Sequence, residues 1–196
     1  GQSVGNIGSF TFGRNGSSHY LSCYLSEVEI YNGIAFHTSS FTPPTAPFTD
    51  AGPVIIDQAQ NAITVVGTAV TVSDSSAFGG ICLQADQSAG YVLTPVIPLA
   101  DSYWTIDFWI NPNALPSPGS TSGCIQYGSG SSGNDGFCVA LYNSGQIACI
   151  STHGVEINAG FASAGTRTHV FIQRSGPTIY IGSGGSVGGS ISISST

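Results

Sequence analysis

From Tyr103 to Ile110 the chain alternates residue by residue. Trp104, Ile106, Phe108 and Ile110 fall on one side, and Tyr103, Thr105, Asp107 and Trp109 on the other. A period of two belongs to an extended strand, because successive side chains point to opposite faces of a sheet. Pro112, Pro116 and Pro118 then close the run in a loop. The same period recurs along the chain, and no helical pattern persists beyond about two turns. Such a chain is expected to build sheets and to bury one face of each.

Turn chemistry places the remaining strands. Phe137 to Tyr142 and Gln146 to Ser151 flank Asn143-Ser144-Gly145, and Thr168 to Arg174 and Thr178 to Gly182 flank Ser175-Gly176-Pro177, so each pair reads as a hairpin. Ala62 to Val66 and Ala69 to Val72 are separated by Gly67; Ile81 to Gln84 and Tyr91 to Thr94 follow. Phe10 to Phe12 precedes an Arg14-Asn15-Gly16 turn and a long extended stretch from Tyr20 to Tyr31. In that stretch the apolar parity changes from Leu21, Cys23 and Leu25 to Val28 and Ile30, which predicts a bulge near Ser26. Gly182 to Gly189 reads as a loop and Ser190 to Ser194 as a short edge strand. Thr42 to Pro53, with four prolines, reads as an extended connector.

A length of 196 residues suits one well-buried sandwich and is too short for two. Only 7% of residues are charged while 41% are hydrophobic, so the polar remainder is mainly Ser, Thr, Asn, Gln and 27 Gly. The three cations, Arg14, Arg167 and Arg174, stand against ten carboxylates and leave a net charge of −7. That field repels phosphate backbones and anionic membrane surfaces, so neither nucleic acid nor membrane is an expected partner. No stretch reaches the roughly 18–20 apolar residues that span a bilayer, and no basic-then-apolar signal opens the chain. A chain with no Met is expected to be processed or to be a piece of something longer. The five cysteines, Cys23, Cys82, Cys124, Cys138 and Cys149, include no C-x-x-C pair and no metal-ligand spacing. Their apolar flanks favour buried, unpaired thiols over disulfides.

Several segments resemble the laminin-G-like branch of the concanavalin A-like jelly rolls found in phage structural and bacterial surface proteins. Ala77-Phe78-Gly79-Gly80 with Cys82-Leu83 resembles an early family strand, and Trp104 to Ile110 resembles the family's FTIDFWI strand. Thr168 to Arg174, followed by Thr178 to Ile181, resembles its closing hairpin. Leu25 to Ala35 resembles the IDEVRIYNGxA strand, and Phe41 to Thr45 the FTPPT terminus, both of which stand at the end of such a domain. Here they come first. The resemblance therefore implies an all-β, antiparallel two-sheet sandwich of jelly-roll type, circularly permuted or completed by strand exchange. Residues 1–50 would be the closing strands of the module, its own or a neighbour's; 43–53 a connector; 54–196 the main body. A cut from a tandem array is the third reading.

Chemistry is sparse. Glu27 and Glu29 share one face of a strand, and glycosidases on the resembled fold use E-x-D-x-x-E or E-x-D-x-E there. This chain has Tyr31 or Asn32 where the last carboxylate is required, so no enzyme is expected. Glu27 is instead expected to form a structural pair with Arg174. His169 matches a histidine of the resembled hairpin and is expected to be packed in its strand; His19, His37 and His153 are expected to face solvent. Trp109, Tyr103, Tyr127 and Tyr142, with Asn134 and Asp135 in the loop from Gly128 to Gly136, are candidates for stacking on and hydrogen-bonding a glycan. No cofactor is expected; Ca²⁺ at Asp86, Asp101 or Asp135 is compatible with the resemblance but not specified by spacing. Asn15-Gly16-Ser17 is a formal glycosylation sequon.

The expected role is a non-enzymatic structural module at a virion surface, a phage capsid decoration or tail-fibre protein with weak glycan adsorption. It would associate with itself or with other virion proteins, and adsorb to host-surface glycans. The alternative is a carbohydrate-binding subunit of a secreted adhesin or extracellular, cell-surface filament.

Overall fold

The computed structural model describes residues 8–15, 19–46, 64–73, 81–85, 90–97, 99, 102–128, 136–151 and 155–192. Their strands are β1 (Ser9–Phe12), β2 (Arg14–Asn15), β3 (His19–Tyr20), β4 (Cys23–Asn32), β5 (Thr64–Val66), β6 (Val70–Ser73), β7 (Ile81–Ala85) and β8 (Tyr91–Val96). They continue with β9 (Tyr103–Pro112), β10 (Thr121–Gly128), β11 (Gly136–Tyr142), β12 (Gln146–Ser151), β13 (Glu156–Phe161), β14 (Thr168–Ser175), β15 (Thr178–Ser183) and β16 (Ser186–Ser192). No helix occurs among the described residues.

Two seven-stranded antiparallel sheets face each other, ordered β13-β12-β11-β10-β1-β8-β5 and β16-β15-β14-β9-β4-β7-β6. The alternation in β9 does what the sequence demanded. Trp104, Ile106, Phe108 and Ile110 are fully buried and meet Phe10, Phe12, Ile125 and Phe137 of the opposite sheet in one core. Trp104 of the second sheet stacks on Phe137 of the first at 5.4 Å between ring centroids. That bridge adds about 0.5–1.5 kcal/mol beyond the area it removes from water. All five cysteines are buried, and none forms a disulfide.

β1 lies inside the first sheet, between β10 and β8, and β4 inside the second, between β9 and β7. The parity change in β4 is a bulge between Ser26 and Glu29, with Glu27 at φ 50°. The hairpins β11–β12 and β14–β15 form where the turns predicted them.

β5 and β6 lie in different sheets, and the turn at Gly67 and Thr68 carries the chain from one to the other. The stretch expected to be a loop from Gly182 to Gly189 is the end of β15 and much of β16, a Gly/Ser-rich edge strand. β10 and β13 were not foreseen, because Gly123, Gly128 and Gly160 interrupt their apolar patterns. Of the connector from Thr42 to Pro53, residues 47–53 lie outside the described residues.

Candidate functional site

The outer face of β9 should be wet by its composition, yet it is buried. Thr105 and Asp107 are covered, as are His169, Phe171 and Gln173, which stand beside them on β14. Register fixes the grid: Thr105 lies opposite Gln173, Asp107 opposite Phe171, and Trp109 opposite His169. On the other flank Glu29 of β4 lies opposite Asp107, and Tyr31 opposite Thr105. Buried polar groups require partners. The partners come from the segment that follows β4.

Gly33, at φ +89°, turns the chain out of β4 while its N–H donates to the Tyr103 carbonyl at 2.7 Å. A strap from Ile34 to Phe41 then crosses β9 and β14. The Thr105 hydroxyl donates to the Ile34 carbonyl at 3.0 Å and accepts from the Phe36 N–H at 3.1 Å. The His37 N–H donates to the Gln173 side-chain carbonyl, and the Phe41 N–H to the Gly185 carbonyl at 2.7 Å. The His37 ring stacks on Phe41 at 3.7 Å and leans on Phe171 at 5.0 Å.

Beneath the strap, Asp107 sits between two imidazoles. His37 Nε2 lies 2.8 Å from one carboxylate oxygen, and His169 Nε2 lies 3.0 Å from the other. The second contact is short but poorly aligned for a hydrogen bond, and among the described residues Nδ1 of His169 has no hydrogen-bond partner. Burial pushes the Asp107 carboxyl up. The close approach of His169, the hydrogen bond from His37 and the charge of both imidazoles outweigh that and leave it below its ordinary value. His169 is therefore packed, as expected, whereas His37, expected in solvent, is one jaw of the clamp. Asp107 was the available clue: a carboxylate alternating with Thr105 and Trp109 on an aromatic-rich face needs a partner from outside its sheet.

The glycan candidates do not converge. Tyr127 is fully buried and donates its hydroxyl to the Ile97 carbonyl at 3.1 Å, so its face cannot meet a sugar. Burial raises that phenol, against opposing backbone hydrogen bonds. Trp109 is capped by the Arg167 guanidinium 4.5 Å above its ring and abutted by the His169 edge. Tyr103 is exposed at the start of β9, in the second sheet. Tyr142 stands at the end of β11 in the first, donating to Glu156 at 3.0 Å. Asn134 and Asp135 lie outside the described residues, as do Asp86, Asp101 and His153. Glu27 and Arg174 are kept apart by register. Arg174 lies opposite Trp104 on one side of β9, while Glu27 lies in the bulge on the other side, between the residues that face Trp109 and Asp107. Arg174 donates from Nε to the Gly176 carbonyl at 3.0 Å.

A shallow depression of about 270 Å³ lies elsewhere, where β3 meets the loop before β10. It is lined by His19, Tyr20, Ser117, Ser120, Thr121 and their neighbours. Sequence reading missed it because its hydroxyls come from a loop with no motif. Among the described residues no group of three His, Cys, Asp or Glu side chains can hold a metal ion. No family model, curated protein or solved structure matches the chain.

Proposed function

We propose that this chain is a non-enzymatic structural module of a larger assembly. A concanavalin A-like, permuted jelly roll at a virion surface, as a capsid decoration or tail-fibre component, is the form that the sequence resemblance favours. One observation carries the non-catalytic part. The Asp107 carboxylate meets an imidazole at each oxygen, and its cluster is roofed by the strap, so these groups hold the chain together instead of facing a cleft. The charge-poor, hydroxyl-rich composition suits close packing of many copies. Two assays test the reading together. The protein should release no reducing ends from β-glucans, and it should be a stoichiometric component of purified native particles. Hydrolysis that disappears in Glu27→Gln, by a protein absent from any particle, would overturn it.

The depression beside Tyr20 favours a second reading, a carbohydrate-binding subunit of an adhesin or surface filament. An aromatic ring beside His19 and several Ser and Thr hydroxyls, with no carboxylate or arginine among the described lining residues, matches a neutral sugar. Its volume lies just below the roughly 300–1,000 Å³ of drug-sized sites, so it would take a single ring. Saturation-transfer NMR with neutral oligosaccharides should give contacts that Tyr20→Ala abolishes; signals unchanged in that variant would remove this reading.

A further inference from the structure

Among the described residues four strands end the two sheets, and they are not equally protected. β5 and β6 offer three and four described residues, fewer than β16 does. β13 carries Glu156, exposed at its start. β16 has seven residues and neither Lys, Pro nor any carboxylate. Among the described residues it is paired on one side alone, with β15. Its side chains alternate between exposed and half-buried, and among the described residues no strand is hydrogen-bonded along its outer row of backbone N–H and C=O groups, although Ala159 of β13 packs against it at Gly188.

The sequence of β16 is also self-complementary. Laid antiparallel on a second copy about a two-fold axis at Gly189, Ser186 faces Ser192, Val187 faces Ile191 and Gly188 faces Ser190. Apolar residues meet on the inner face and hydroxyls on the outer. The bulge in β16, between its pairings with Ile181 and Gly182, falls at Gly188. There the opposing residue is a serine, so little side-chain bulk stands in the way. No charged side chain occurs from Gly176 to Thr196, so the net charge of −7 is not concentrated where the copies would meet.

We infer that β16 is a self-association edge, joining two copies of this chain by antiparallel β16–β16 pairing into one continuous fourteen-stranded sheet, twice the seven strands of the second sheet. The inference rests on the assembly reading and names its contact surface. The contact is isologous and built from backbone bonds, so it is weak and nearly insensitive to salt.

Sedimentation velocity from about 5 to 500 µM, the range where a small interface declares itself, should show the coefficient rising toward that of a dimer. The rise should be equal at low and high salt. Ser190→Lys places like charges diagonally across the two-fold axis and should abolish it. Asn143→Lys, the same charge change in the exposed β11–β12 turn, should leave it intact. Amide exchange in residues 186–192 of the unaltered protein should slow as concentration rises, a readout that needs no variant. A wild-type monomer throughout, with unchanged exchange, overturns the proposal. Association that persists in Ser190→Lys overturns the edge while leaving the assembly reading standing.

Discussion

The Nε2–H of His37 reaches the Oδ2 of Asp107 at 2.8 Å across 70 residues of sequence. It joins the strap that follows β4 to the outer face of β9. Without it the polar floor made by Thr105, Asp107, His169 and Gln173 would be buried with one fewer partner, and the strap would hold chiefly by backbone bonds and the Phe41 ring.

Replacing His37 with Ala removes that bond together with the stacking on Phe41. Global stability should fall by about 1–2 kcal/mol, the net worth of one charged-group hydrogen bond plus a ring contact. Amide exchange from residue 34 to 46 should accelerate about tenfold or more, because the opening is local. Exchange measured by mass spectrometry decides the matter. Acceleration spread evenly over β9 and β14 would mean that the histidine supports the sheet and not the strap.

Asp107 gives the clamp a pH dependence with a definite sign. Its folded-state carboxyl lies below the ordinary value of about 3.9. The unfolded state therefore takes up the proton first as pH falls, and the stabilisation is fully present above the unfolded value and lost as pH drops through the folded one. The stability difference between the wild type and Asp107→Asn should shrink as pH falls below about 4. Denaturant titrations at several pH values across that range would show it; a difference that grows as pH falls below about 4 contradicts the assigned charge state.

What could be read before any coordinates were known follows from which interactions are local. Trp104, Ile106, Phe108 and Ile110 declared a core-facing strand because the period of two is written in neighbouring residues. Leu25 and Val28 exposed the bulge by a parity slip that the structure places between Ser26 and Glu29. The clamp was legible on one side alone: Asp107 among aromatic residues called for a partner, but His37 has unremarkable neighbours and is joined to it only by the path of the strap. Tyr127 was misjudged for a related reason. Gln126 and Tyr127 are adjacent, and strand β10 shows no alternation that would tell which of them faces the core. Cys124, Ile125, Gln126 and Tyr127 are all buried.

The cysteines should behave as hydrophobic side chains. Burial pushes the thiols of Cys124 and Cys149 up to about 12, and those of Cys23 and Cys138 are raised as well, chiefly by burial. In the native protein at pH 8 a maleimide or disulfide reagent should modify none of the five, and in denaturant all of them. Raised thiols also set a sign. Above about pH 8.5 the unfolded state loses protons that the folded state keeps, so stability should decline as pH rises further. Rapid labelling of one thiol in the folded protein would show that its strand opens far more readily than the core around it.

Gly185 tests the strap from its far end. It sits at φ +81°, and a methyl group there would collide with the Phe41 carbonyl oxygen and lie 2.6 Å from Cδ of Pro43. Gly185→Ala should therefore cost about 1–3 kcal/mol from the left-handed backbone alone, and displace Phe41 in addition. Only the second effect passes through the strap. Once His37→Ala has loosened that segment, the same alanine should cost less, so the double variant should be more stable than the two single losses predict. A coupling of about 0.5 kcal/mol or more in a double-mutant cycle would show that the two ends act as one element. Strict additivity would mean that the Phe41 end and the His37 end are held independently.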